Sequence, residues 1–181
     1  SGCSDLSYYR QSVGGHLDLM SRAKPVGDWL ADDATPAPLK QRLALAQQMR
    51  EFSVQVLKLP DNASYRAYAD LQRGAAVWNV VAAPALSLTL KTWCYPVTGC
   101  VGYRGYFDRA EADALGAQLR AEGWDANVYG VPAYSTLGWS NWIGGDPLLN
   151  TFVNGTEGEL ARLIFHELAH QQLYVADDTM F

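Results

Sequence analysis

The segment Glu157-Gly158-Glu159-Leu160-Ala161-Arg162-Leu163-Ile164-Phe165-His166-Glu167-Leu168-Ala169-His170-Gln171 constrains this chain more than any other. Thr156 followed three residues later by Glu159 is a capping-box pattern, and it predicts a helix starting just after the Asn154-Gly155 turn. Leu163, Ile164, Phe165, Leu168 and Ala169 surround two histidines with apolar side chains, so the helix is expected to be buried. On a helix His166 and His170, four residues apart, emerge from one face a turn apart and can converge on one ion. Glu167 lies beside that face, where a carboxylate can take a proton from an attacking water and pass it to a leaving amine.

Zinc suits such a site, because it needs few ligands and keeps a position open for water and substrate. A catalytic zinc wants three protein ligands, and no further His or Gly follows at the spacing a third-histidine peptidase would use. Downstream, Asp177 and Asp178 offer oxygen before the chain stops at Phe181, and a ligand beyond Phe181 is the favoured expectation. The competing reading makes His166 and His170 core histidines bonded to carbonyls, with Glu167 paired elsewhere.

The rest of the chain limits what such a helix can be part of. Charged residues are only 18% and hydrophobic ones 49%, enough for a sizeable core. The net charge is −5 with Lys and Arg scattered singly, so no basic stripe exists to follow a phosphate backbone, and nucleic acid is excluded as an expected partner. Cys94 and Cys100 flank a turn-rich segment and close a small loop if the compartment is oxidising. Cys3, behind Ser1-Gly2, resembles the acylated cysteine at the end of a bacterial lipoprotein signal. Three ordinary thiols are the alternative.

Periodicity predicts a helix over Asp5–Met20 with Ser4 as N-cap, interrupted at Gly14-Gly15, then a loop rich in Asp, Ala and Pro through Pro38. Leu39, Leu43, Ala46, Met49, Phe52 and Val56 recur at helical spacing up to Pro60-Asp61-Asn62. Val77 to Phe107 reads as extended, with Leu86, Leu88 and Leu90 alternating with Ser87, Thr89 and Lys91 as a half-buried strand after Pro84. Asp108 with Glu111 opens a helix that Gly123 stops. Short strands are expected at Ala126–Val131 and Ala133–Trp139, and a turn at Gly144-Gly145-Asp146-Pro147. The order gives an α+β class, expected as one domain over 1–181, helical in 1–60 and mixed in 61–181, truncated at its C-terminus.

The chain resembles the predicted aminopeptidases of bacterial envelopes, relatives of the zinc peptidases that carry a His-Glu-x-x-His helix. The resemblance rests on Cys3 with Tyr8-Tyr9 and Gly14-Gly15-His16-Leu17, on Trp93-Cys94-Tyr95-Pro96 with Gly99 to Gly105, on Tyr134 to Trp139, and on His166 to Gln171. It implies a zincin-like, gluzincin-like fold and a zinc peptidase lipid-anchored through Cys3 on the periplasmic side of the envelope. His166 and His170 would be ligands, Glu167 general base, and peptides the substrate. Members continue past Phe181 into a segment whose Glu is the expected third ligand, so this chain resembles their N-terminal half.

By analogy with zinc peptidases, Tyr134, Ser135, Thr136, Leu137, Gly138 and Trp139 are the candidate strand that pairs with an extended peptide. Trp139 and Trp142 are candidate subsite walls, and Tyr174 is a candidate oxyanion donor. A free amine would need a carboxylate, for which Asp146, Glu157 and Glu159 are equal candidates. The rival expectation is a non-catalytic envelope lipoprotein that uses an incomplete peptidase site to bind a peptide or partner.

Overall fold

The computed structural model describes residues 2–95, 99–133 and 144–172, with side chains from Tyr8 onward. In chain order the elements are α1 (Gly2–Arg22), β1 (Lys24–Pro25), α2 (Val26–Ala31), α3 (Ala37–Gln55), β2 (Ala67–Ala69), β3 (Val77–Pro84), β4 (Trp93–Tyr95), β5 (Gly99–Val101), β6 (Arg104–Tyr106), α4 (Arg109–Ala121), β7 (Trp124–Val131), β8 (Leu148–Leu149), α5 (Asn150–Val153) and α6 (Glu157–His170). Helices with small sheets make this an α+β chain. The elements fall into two compact units, Ser1–Asp18 with Arg73–Ala133, and Leu19–Gln72 with Tyr134–Phe181. No helix among the described residues is long and apolar enough to cross a membrane.

The first unit is built on an antiparallel sheet in the order β6-β3-β7, with β3 paired to β7 from Val77↔Val131 to Pro84↔Trp124. On β7, Ala126 is buried and Val128 half-buried, while Asp125, Asn127 and Tyr129 face solvent; this is the period of two of a strand with one face covered. Helix α4 covers that face, and Val80, Ala82, Tyr106, Ala112, Leu119 and Ala126 form the core. Its N-cap Asp108 accepts from the Ala110 N–H at 2.7 Å, and Gly123 ends it at φ +90°. Gly116 permits the close approach, since a Cβ there would come within 2.7 Å of Val128 Cγ2. Cys94 and Cys100 are bonded across the β4–β5 ladder. Tyr8 stacks on Tyr95 with centroids 5.5 Å apart, and Arg104 lies 4.1 Å from the Tyr8 ring centre.

Three expectations for this unit change. Helix α1 begins at Gly2, so Ser4 sits inside it rather than capping it. Nor does Gly14-Gly15 interrupt it: a Cβ at Gly15 would collide with the Phe107 ring, so glycine here serves packing rather than a break. The segment Leu86-Ser87-Leu88-Thr89-Leu90 is not a strand. Strand β3 ends at Pro84, and the chain turns at once, with Ser87 N–H bonded to Pro84 O at 3.0 Å and Leu86 at φ +62°. Alternation of polar and apolar residues is a strand signal only where a neighbouring strand and a core exist to receive it.

In the second unit β2 is the middle strand, antiparallel to β1 and parallel to β8. The stretch read as a loop before Pro38 contains α2, which buries Val26 and sets Trp29 edge-on to Tyr68 at 5.3 Å. Six residues are too few for a periodic signal. Helix α3 forms as expected but buries a different stripe: Leu43, Ala46, Arg50 and Ser53 face inward, while Phe52 and Val56 are exposed.

The reason is Arg50, whose side chain is fully buried. Its Nε donates to Ser64 O at 3.0 Å, and its Nη2 donates to Pro60 O at 2.8 Å and Asn62 O at 3.1 Å. Its Nη1 donates to Ser53 Oγ at 3.2 Å. Buried carbonyls without donors are costly, and one planar guanidinium meets several at once. Replacing Arg50 with Met should destabilise the chain by about 3 kcal/mol or more in urea unfolding, and Lys should not rescue it, because an ammonium lacks the fork.

Helix α6 starts with the capping box read from sequence: Thr156 Oγ1 accepts from the Glu159 N–H at 3.3 Å, and Glu159 Oε2 accepts from the Thr156 N–H at 2.9 Å. The Thr156 side-chain hydrogen bond, with its backbone bond, holds the Glu159 carboxyl below the usual range. A depressed carboxyl contributes stability that is complete above its unfolded value, near pH 4.5, and lost as pH falls through the folded value. The Tm gap between the wild type and Glu159→Ala should therefore be open at neutral pH and close on acidification.

Candidate functional site

Helix α6 turns Leu160, Ile164 and Leu168 fully inward, one turn apart, against the second unit's core. That stripe fixes the helix's rotation and leaves His166 exposed, with Glu167 and His170 half-buried. The two imidazoles meet edge to face, with centroids 4.4 Å apart, and their Nε2 atoms lie 2.9 Å from each other. Two nitrogens bound to one ion at about 2.0–2.1 Å need only a few tenths of an ångström more. Two imidazole nitrogens facing each other in this way are a donor pair of the kind that zinc takes. Among the described residues no group of three His, Cys, Asp or Glu side chains gathers at one point.

The end of α6 is held by the loop that Arg50 organises. Gln171 Oε1 accepts from Asn62 Nδ2 at 2.6 Å, and its Nε2 donates to Ser64 Oγ at 3.3 Å. Gln172 Nε2 donates to Lys58 O at 3.3 Å. The residue following His170 is thus tied at two points, which limits where the last turn can carry that imidazole. Ser64 Oγ also accepts from the Asp146 N–H at 3.3 Å, and the Tyr65 N–H donates to Asp146 O at 2.6 Å. Gly145, at φ +69°, makes this approach possible, since a Cβ there would collide with the Ser64 backbone.

Tyr65 is 2% exposed and sits at φ +64°, an uncommon conformation for a bulky residue. Its carbonyl accepts from Gln47 Nε2 at 2.8 Å. Burial, then the charges of Asp146 and Glu167, push its phenol well above the usual tyrosine range, with Arg50 acting the other way. The hydroxyl therefore stays protonated at physiological pH, and it feels the charge of Glu167 on α6. Sequence reading missed Tyr65, Ser64, Asn62 and Arg50. Pro60-Asp61-Asn62 showed only that a helix stops, and nothing local marks a tyrosine whose φ is positive.

The three carboxylates considered for an amine separate clearly. Glu159 is committed to the helix cap, Glu157 is exposed in the first turn of α6, and Asp146 is buried beside Tyr65. The candidate peptide strand Tyr134, Ser135, Thr136, Leu137, Gly138 and Trp139, together with Trp142, lies outside the described residues. So do Tyr174, Asp177 and Asp178, and the side chain of Cys3.

No curated protein and no solved structure matches this chain. One family profile does, described as "Putative aminopeptidase", and its match runs over residues 7–181, including the tyrosine pair, both cysteines of the bridge and all of α6. The chain belongs to this aminopeptidase family.

Proposed function

We propose that the chain is a zinc-dependent peptidase of zincin-like fold, with His166 and His170 as metal ligands and Glu167 as general base. The observation that carries this reading is the 2.9 Å approach of the two Nε2 atoms on α6, in a member of an aminopeptidase family. Family membership makes peptides the substrate class. Bound between the two imidazoles, zinc would supply a Lewis acid for the scissile carbonyl and for water.

The chain's own groups do the rest. Glu167, one residue past His166 and half-buried, takes a proton from the attacking water and returns it to the leaving amine. Its neighbour Tyr65, kept protonated, adds no negative charge to the site. A third ligand beyond Phe181, or Asp177 or Asp178, completes the metal site. Tyr134 to Trp139 align the peptide, and Tyr174 donates to the developing oxyanion. Acylation of Cys3 places the enzyme on the periplasmic side of a bacterial envelope.

A binding-only lipoprotein, which would use the same site to hold a peptide or partner without turnover, is the second reading. Metal analysis and turnover separate the two. The peptidase reading expects about one zinc per chain, lost in His166→Ala and in His170→Ala. Glu167→Gln should keep the metal and lose roughly 10²-fold or more in turnover of a peptide library. Metal retained with no turnover in the wild type would support the binding protein. Zinc absent both here and in a chain extended beyond Phe181 would overturn the metal site.

A further inference from the structure

The loop between β3 and β4 presents apolar side chains to solvent in a way that packing does not explain. Leu86 and Leu88 are 109% and 101% exposed, as open as in an extended peptide, and Leu90 is 47% exposed. The loop is nonetheless a built structure. Lys91 N–H closes its base on Ala82 O at 2.7 Å, Ser87 N–H bonds Pro84 O at 3.0 Å, and Thr89 N–H bonds Ser87 Oγ at 3.1 Å. Leu90 rests against Gly102, where a Cβ would come within 2.9 Å of it. Leu86 occupies the left-handed region at φ +62°, where glycine or asparagine is the ordinary choice. A leucine held in a strained conformation with its side chain in water calls for a partner outside the fold.

Charge and area identify that partner. From Ala75 to Tyr103 the only ionisable acid or base among Asp, Glu, His, Lys and Arg is Lys91, although the whole chain carries −5. Lys91 Nζ stands 4.5 Å from the centre of the Trp124 ring at the foot of the loop. A stable protein complex buries about 800 Å² on each partner and needs complementary shape, which two leucine side chains on a narrow loop do not offer. A fluid acyl layer needs no complementarity, and lysine and tryptophan sit well at its headgroup boundary.

We propose that this loop dips Leu86 and Leu88 into the surface of a lipid bilayer, with Lys91 at the level of the phosphates. Contact of this size is weak and reversible, and it orients the unit against a membrane rather than anchoring it. The proposal stands apart from the histidine site and does not need an acyl chain on Cys3.

The test is co-sedimentation of the unacylated full chain with phosphatidylcholine vesicles, with and without phosphatidylglycerol. Wild type should partition onto both, slightly better onto the anionic ones. Leu86→Ser with Leu88→Ser should lower the partition coefficient roughly tenfold or more, at unchanged Tm because neither side chain is packed. Lys91→Gln should remove only the preference for anionic vesicles. Failure of the wild type to partition, or equal partition of the double variant, would overturn the proposal. So would self-association of the wild type that the double variant abolishes without any vesicle binding, since that assigns the loop to a second copy of the chain.

Discussion

Burying an arginine without a carboxylate against it requires that nearly every N–H find an acceptor, and Arg50 finds them in the backbone. Asp61 approaches only to 3.9 Å and is largely in solvent, so the carbonyls of Pro60, Asn62 and Ser64 carry most of the load. Those three carbonyls can point at one guanidinium only if the 60–64 loop takes a single path. That path brings Asn62 and Ser64 to Gln171, sets Ser64 against Asp146, and puts Tyr65 in its left-handed conformation. The exposed ion pairs of Arg66 with Asp61, at 2.7 Å, and with Glu51, at 3.1 Å, reinforce the same loop from outside with a smaller contribution.

The histidine site is therefore held from two directions. Along α6, the capping box fixes the start, and the stripe Leu160, Ile164 and Leu168 fixes the rotation. At the far end, Gln171 fixes the helix to the loop one residue past His170. Side chains carried on a helix with both ends restrained keep their mutual geometry better than those on a free loop. The burial of Tyr65, which feels the charges of Asp146 and Glu167, gives this end of α6 a low-dielectric side, while His166 faces solvent.

Legibility from sequence followed the range of the interactions. The capping box of α6, the Asp108 cap and Gly123 stop of α4, and the start and length of α3 depend on residues three or four apart, and each was found where local chemistry placed it. The inward stripe of α3 was misassigned at Phe52 and Val56, because hydrophobic periodicity gives no weight to an arginine that is buried by hydrogen bonds. Leu86, Leu88 and Leu90 satisfied the strand pattern and failed to form one, because pattern does not reveal whether a partner strand is present.

By itself the sequence determined that one helix would carry His166, Glu167 and His170 in fixed angular relation, since 3.6 residues per turn leaves no other arrangement. It also determined the α+β class, from the succession of helical and extended segments. Only the tertiary structure decided that the two Nε2 atoms turn toward each other, and that Asn62, Ser64, Tyr65 and Asp146 gather around the end of that helix. Those residues lie some twenty to more than a hundred positions from the histidines, and what joins them is hydrogen bonding around one buried guanidinium, which no local pattern encodes.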